Sequence, residues 1–282
     1  MNHIPTKITK EDFDLYIAPF LTKAKRGFVS EIPLYLIFNA ILYKIYTGCQ
    51  WKSLPTAEFK DESTGRQLTY GAIYHHFSKW SKDQSLEYVF KASIIAIAFH
   101  LNVEEINLDG THTLAKKGGE KIGYQRRKKA KTSNILPLTD KFGNIIGFLP
   151  LVAGNHHDSF EIKNKMTNAL QELKENLPKG FSFKDSFFNA DGAFDCKSLR
   201  KVLFNYGLIP NVAENKRNRK ENKKGRKRLF NKKVYDNRYT NERTHAWVDK
   251  FRGVLIRFET KAAHWMGANY IAFAMVNLRN VI

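Results

Sequence analysis

Acidic residues are in short supply in this chain of 282 residues: 27 Asp plus Glu stand against 47 Lys plus Arg, a formal net charge of +20. Such an excess repels itself unless a polyanion is the usual partner, and nucleic acid is the obvious one. Cysteine is almost missing. Only Cys49 and Cys196 occur, far apart and each without a second Cys nearby, which argues against both a zinc site and a disulfide framework. Long hydrophobic runs are lacking too. The longest apolar stretches, around Leu34 to Tyr46 and Ala92 to Leu101, are too short to span a bilayer, and no convincing basic amphipathic helix offers a membrane surface as the use for the charge. The opening MNHIPTKITKEDFD carries acids early and has no apolar core before a small-residue cleavage site, so it reads as no secretory signal, and a cytoplasmic, nucleoid-associated protein is expected. What the chain does have is 43% hydrophobic residues, enough to build a core for one large domain or two modest ones.

The texture changes twice along the chain. In the front part, Ser30, Glu31 and Pro33 open a helix whose Leu34, Phe38, Ile41, Leu42 and Ile45 recur at three and four residues, and Gly48 closes it. A second helix is predicted from Tyr70 to Trp80, and a third, capped by Asp83, to about Leu101; three such helices with short turns fit a helix-turn-helix module. From Glu104 the period becomes two. EEINLDGTHT reads as a strand, KTSNILPLT and NIIGFLPLV as a hairpin about Asp140 to Gly143, and then follow a helix from Asp158 to about Leu177, the strand SFFNAD, a helix from Cys196 to Tyr206 and the strand LIPNVA. Three strands, helix, strand, helix, strand is the ribonuclease H-like order, a mixed α/β sheet flanked by helices. The expected organisation is a helical DNA-binding domain over 1–101 and an α/β body over 102–282 that carries a basic insert at about 214–233. That insert, with Lys224 and Arg226 at its centre, is too densely charged for a core, and phosphate contact explains its sign. Asn241 to about Glu259 and Ala262 to Asn280 read as two closing helices.

Acids in otherwise apolar strands are the informative ones for phosphodiester chemistry, which needs phosphate oxygens neutralised and an attacking oxygen activated, work suited to a pair of Mg²⁺ ions on hard oxygen ligands. Asp109 ends one apolar strand in INLDGTHT and Asp191 ends another in FFNADGAF. Either could equally be a turn residue before Gly. A third acid, Glu242, lies four residues after Arg238 and shares its helix face, either as an ion pair or as part of a phosphate-binding surface that Arg243, Lys250, Arg252 and Arg257 extend. Lys128 and Lys129, in the basic loop after Asp109, are placed to touch backbone beside the acids, and Lys79, His75 and His76 to face DNA from the front helices. Trp51, Tyr74 and Trp80 read mainly as core, with base stacking as the other use. His156, His157 and Asp158 resemble half of a zinc site, but adjacent residues do not readily share one ion, and a capping Asp with hydrogen-bonded rings is the plainer reading.

Taken together, TGCQWKSLP, IYHHFSKWSKDQ, LDGTHT, TDKFGNIIGFLPLVAGNHHDS, NADGAFDCKSLR and NERTHAWVDKFRGVLIRFE resemble, in order and over nearly the whole chain, the DDE transposases of bacterial insertion sequences, specifically the insertion-sequence-five group. The family spacing of Tyr, Arg and Glu is met by Tyr235, Arg238 and Glu242; where it continues to a Lys this chain has Asp249, with Lys250 one place on. The resemblance implies that Asp109, Asp191 and Glu242 hold two Mg²⁺ ions, for which Mn²⁺ substitutes, and that Arg238 and Lys250 hold DNA phosphate. It implies a transposase that cleaves at terminal inverted repeats in double-stranded DNA and joins the freed ends to target DNA, as a homodimer or larger assembly. A non-catalytic DNA-binding descendant and a nuclease of the same fold are the rival readings.

Overall fold

The computed structural model describes residues 3–23, 32–215 and 229–282. In chain order these form α1 (Lys10–Tyr16), α2 (Leu34–Thr47), α3 (Tyr70–Lys82), α4 (Ser85–Ala96), β1 (Glu105–Leu108), β2 (Thr111–Ala115), β3 (Gly123–Gln125), β4 (Ala130–Thr139), β5 (Ile145–Ala153), α5 (Ile162–Asn176), β6 (Phe187–Ala190), α6 (Lys197–Asn205), β7 (Ile209–Val212), α7 (Lys232–Asp236), α8 (Tyr239–Asp249), α9 (Arg252–Leu255), β8 (Ile256–Arg257) and α10 (Ala262–Leu278). The expected helix opening at Ser30 and Glu31, and most of the basic insert with Lys224 and Arg226, lie outside the described residues. No helix among the described residues is long and apolar enough to cross a membrane.

Two compact units emerge, one of residues 1–98, 113–120 and 246–282, the other of 99–112 and 121–245. In the first, α2 stops at Gly48, whose φ of 71° is a left-handed conformation that glycine adopts without strain. Thr69 caps α3 by accepting from the Ala72 N–H at 3.2 Å, and the helix buries Ile73, Phe77 and Trp80 on one face. Asp83 is not the N-cap of α4, a position held by Gln84, but its carboxylate still takes the Ser85 N–H at 3.1 Å. Only α3 and α4 are joined by a tight turn; the α2 to α3 connection carries two 3-10 turns and a Lys60–Gln67 bridge, so the three helices are not evenly linked as the sequence predicts. The C-terminal α10 is buried almost along its whole length and packs on α3 and α4, so it belongs with the front helices, although the sequence reading grouped it with the α/β body. The helix expected to run on to Glu259 breaks after Asp249. Phe251 is fully buried and Gly253 passes so close to α2 that a Cβ there would lie 2.7 Å from the Ile45 carbonyl oxygen, contacts that a straight exposed helix cannot make.

In the second unit the strands run in the order β5, β4, β1, β6, β7. β4 pairs antiparallel with β1 and β5, while β1, β6 and β7 are parallel. That is the ribonuclease H-like sheet the element order predicts. Alternation along the strands divides its faces. Ile106, Leu108, Leu136, Leu138, Phe188 and Val212 join Met166, Leu170 and Leu173 of α5 and Leu199 and Leu203 of α6 in one apolar core.

Candidate active site

The opposite face of this sheet is polar and nonetheless buried. Glu105 and Asn107 on β1, Asn189 on β6, Asn211 on β7 and Thr139 on β4 are each at most 4% exposed. Buried amides must find partners, and these find one another: Asn211 Nδ2 donates to Asn189 Oδ1 at 2.7 Å, and Asn189 Nδ2 to Asn107 Oδ1 at 2.9 Å. The ladder crosses all three parallel strands and fixes them in step, so that Asn107 lies beside Asn189 and Asn189 beside Asn211. Asp109 and Asp191 each lie two residues beyond the Asn107–Asn189 pair, just past the carboxyl ends of these neighbouring parallel strands. Sequence reasoning missed the ladder. Its signal was an amide two residues before each aspartate.

The segment leading into α8 and α8 itself are tied to this face by their own polar side chains. Asn237 Nδ2 donates to both Glu105 carboxylate oxygens at 3.0 and 3.1 Å, Thr139 Oγ1 donates to Asn241 Oδ1 at 2.7 Å, and Thr244 Oγ1 donates to the Gly143 carbonyl at 2.8 Å. Arg238 Nη2 lies 3.7 Å from Asp109 Oδ1, and His245 Nε2 lies 4.0 Å from Asp109 Oδ2. Residues 238, 242 and 245 share one face of a helical run, so the exposed Glu242 stands on the same side as the two groups that reach Asp109. Arg238 is itself held: its guanidinium lies 5.2 Å over the Tyr235 ring and donates to the Tyr235 hydroxyl at 3.1 Å, while its buried Nε has no hydrogen-bond partner among the described residues.

Each aspartate also has a local bond. Asp109 Oδ1 accepts from the Gly110 N–H at 3.0 Å, and Asp191 Oδ1 from the Ala193 N–H at 2.8 Å. Among the described residues no three His, Cys, Asp or Glu side chains converge closely enough to hold a metal ion. Asp109 and Asp191 thus follow the ends of adjacent strands, and exposed Glu242 lies on the helix face that carries Arg238 and His245. Mg²⁺ fits such a donor set, because it is usually held by one or two carboxylates with substrate phosphate and water supplying the rest.

Beside Asp109 lies a second cluster. Asp158 accepts from Asn134 Nδ2 and lies 3.4 Å from His112 Nε2, while His112 Nδ1 meets Thr132 Oγ1 at 3.1 Å. The hydrogen bond from His112 holds the Asp158 carboxyl below the ordinary carboxylate range. The expected capping role is therefore corrected: α5 begins at Ile162, its N-cap is Glu161 with no side-chain bond, and Asp158 serves the sheet instead. A Cβ on Gly110 would sit 3.3 Å from Asp158 Oδ1, which ties the small residue after Asp109 to this cluster. His157 Nδ1 meets Ser159 Oγ at 2.9 Å, and the His156 ring stacks on Phe160 at 3.9 Å.

The basic residues divide by use. Lys128 Nζ donates to the His112 carbonyl at 2.7 Å, and the exposed Lys129 sits at a φ of 49° in the same turn. Arg243 Nη2 donates to the Phe142 carbonyl at 2.9 Å and so braces the β4–β5 turn. Lys79 donates to the Thr22 carbonyl at 3.2 Å within the first unit, where Lys250 and Arg252 are exposed. Arg257 is not a phosphate-facing cation. It is fully buried on β8, donates to the carbonyls of Glu259 and Glu120 at 2.8 Å each, and burial pulls its pKa down to about 10.

Antiparallel β5, β4 and β1, followed by β6 and β7 parallel to β1, define the ribonuclease H-like class of fold. Residues 9–90 match the model of a family described as "Putative transposase of IS4/5 family (DUF4096)". A search of curated proteins returned no match. Among solved structures, the chain is similar to a piggyBac transposase synaptic complex with hairpin DNA, at 11% identity and a TM-score of 0.49, covering 96% of this chain and 69% of that one. It is also similar to the Mos1 mariner paired end complex with Mn, at 10% identity and a TM-score of 0.27, covering 93% and 81%. The fold assignment rests on the strand order, not on these scores.

Proposed function

We propose that this chain is a transposase that cleaves double-stranded DNA at the terminal inverted repeats of an insertion sequence and joins the freed 3′ ends to target DNA, with Asp109, Asp191 and Glu242 as its catalytic carboxylates. The observation that supports the reading is that Asp109 and Asp191 each follow, two residues past the Asn107–Asn189 pair, the end of one of two paired parallel strands, while Arg238 and His245, on the helix face that carries Glu242, lie near Asp109. Two Mg²⁺ ions, or Mn²⁺ in their place, would neutralise phosphate oxygens and activate the attacking oxygen. Asp109 and Asp191 present oxygen donors at one end of the sheet, and Glu242 adds a third from α8. Arg238, braced on Tyr235, holds Asp109 in place and keeps a positive charge beside it for a phosphate oxygen. Water is the first nucleophile and the freed 3′ hydroxyl the second, each attacking phosphorus in line, so no covalent protein intermediate forms. Lys128, Lys129, Lys250 and Arg252 supply sequence-independent backbone contacts.

The test is nicking of a plasmid that carries the element's ends, with and without Mg²⁺, for Asp109→Ala, Asp191→Ala and Glu242→Ala. Each variant is expected to bind DNA as the parent does and to cut nothing. Cutting retained by any one of them removes that residue from the set. A joining assay with a pre-cleaved end separates a transposase from a nuclease of the same fold, which would cut and never join.

A further inference from the structure

In the first unit a cleft of about 720 Å³ opens among the turn after α2, the start of α3 and the segment that follows β8. Its aromatic lining is unusual for core. Tyr70, Tyr74 and Phe258 are 44%, 37% and 50% exposed, and Trp51 packs edge-on to Tyr74 at 5.2 Å while its other contact, Phe77, faces the interior. At the bottom lies a carboxylate. The Glu259 side chain is only 14% exposed; its Oε1 takes both Lys44 Nζ at 3.5 Å and Trp51 Nε1 at 3.4 Å, which leaves Oε2 without a hydrogen-bond partner among the described residues. The segment is rigidly set, because buried Arg257 holds the Glu259 carbonyl and the Gly119 backbone passes hard against Thr260. Exposed Lys52 and Lys117 lie at the rim.

Each part selects against a class of ligand. Lys52 and Lys117 repel an organic cation, which aromatic walls and a carboxylate would otherwise suit. A purely apolar ligand would leave Glu259 Oε2 without a hydrogen-bond donor in a dry site. A flat ring that carries adjacent N–H donors on one edge and an anion on its other side satisfies all three features, and that is a nucleotide. Guanine presents two such donors, N1–H and N2–H, to a single carboxylate; thymine presents one and adenine no pair of this kind. We propose that this cleft receives one unstacked DNA base, guanine in preference, stacked among Tyr70, Tyr74 and Phe258 with its edge on Glu259 and its phosphate at Lys52 and Lys117. The proposal rests on the DNA-processing reading above and adds to it a base-reading site distinct from the carboxylates.

The experiment uses the full chain and short single strands of abasic sugars that carry one guanine, one thymine or no base, with affinity read by fluorescence anisotropy. The guanine strand should bind about tenfold more tightly than the abasic strand, with thymine between them, the size expected for stacking of one base. Tyr70→Ala combined with Phe258→Ala, both at exposed positions, should erase that gain and leave affinity for the abasic strand unchanged. Glu259→Gln should erase only the preference of guanine over thymine. Equal binding of guanine and abasic strands by a chain that still binds and cuts duplex DNA overturns the cleft alone, as does a gain that survives the double substitution. Failure to bind any DNA overturns the cleft together with the transposase reading.

Discussion

On the face of the sheet that meets α5 and α6, β1 offers Ile106 and Leu108, β4 offers Leu136 and Leu138, and β6 offers Phe188; on the other face the same strands offer Glu105, Asn107, Thr139 and Asn189. Both faces are buried, yet they are buried by different rules. The apolar face is satisfied by volume, so a range of packings would serve it. The amide face is satisfied only when each donor meets its acceptor, which admits a single register of β1, β6 and β7. The face that looks wasteful for stability is the one that fixes the register of the strands leading to Asp109 and Asp191.

The comparison can be broken at several points. The largest effect is at the strand ends: Asp191→Ala should abolish cutting while leaving thermal stability close to that of the parent, since Asp191 is partly exposed and bonds only its own turn. Activity above background would show that the aligned pair is structural. Next comes the apolar face. Phe188→Ala should cost about 3 to 5 kcal/mol of stability, measured by urea denaturation, while the fraction that remains folded cuts at nearly the parental rate. A collapse in rate per folded molecule would mean that both faces set the site.

Asn189→Ala is the sharper probe, because it strips the middle rung and leaves Asn107 Oδ1 and Asn211 Nδ2 each short of a partner. The expected cost is about 1 to 3 kcal/mol of stability, smaller than for Phe188, accompanied by a fall in cutting rate of about ten- to a hundredfold. Rate and stability should therefore part company in opposite directions on the two faces. An Asn189→Ala chain as active as the parent would reduce the ladder to ordinary packing.

Period-two alternation made β1, the β4–β5 hairpin, β6 and β7 readable, and an acid closing an apolar strand made Asp109 and Asp191 stand out. The amide ladder was illegible for a physical reason: Asn is depleted in strands and common in turns, so its partners are visible only once the register is known. Arg257 was misread because charge says nothing of burial when backbone carbonyls rather than an acid receive the guanidinium. Asp158 lies close enough in sequence to α5 to pass for its cap, whereas its partners, Asn134 and His112, are far away along the chain. The break in the last long helix is set by Phe251 and Gly253 against α2, contacts that no local pattern records.

The smallest expected effect extends the comparison from the two faces to the two units. In the first unit burial lowers the pKa of both His76 and His264, so below about pH 6.5 the unfolded chain takes up protons that the folded unit resists, and stability falls as pH drops. The second unit responds otherwise. The His112 bond keeps Asp158 below its ordinary range, so its contribution is retained above about pH 3.9 and is lost only as pH falls through the lower folded value. Burial raises Asp140, so there the folded state takes a proton more readily than the unfolded one and acidification acts in its favour. Hydrogen exchange between pH 7 and pH 5, corrected for intrinsic rates, should show amides of α3 and α10 losing protection while those of β1 and β4 hold theirs. His264→Gln should flatten the first trend, since glutamine keeps a polar group near Ser78 Oγ, 3.0 Å from Nε2, and cannot take the charge. Equal losses in the two units, or a trend in α10 that His264→Gln leaves unaltered, would show that the buried rings do not govern the first unit's acid response.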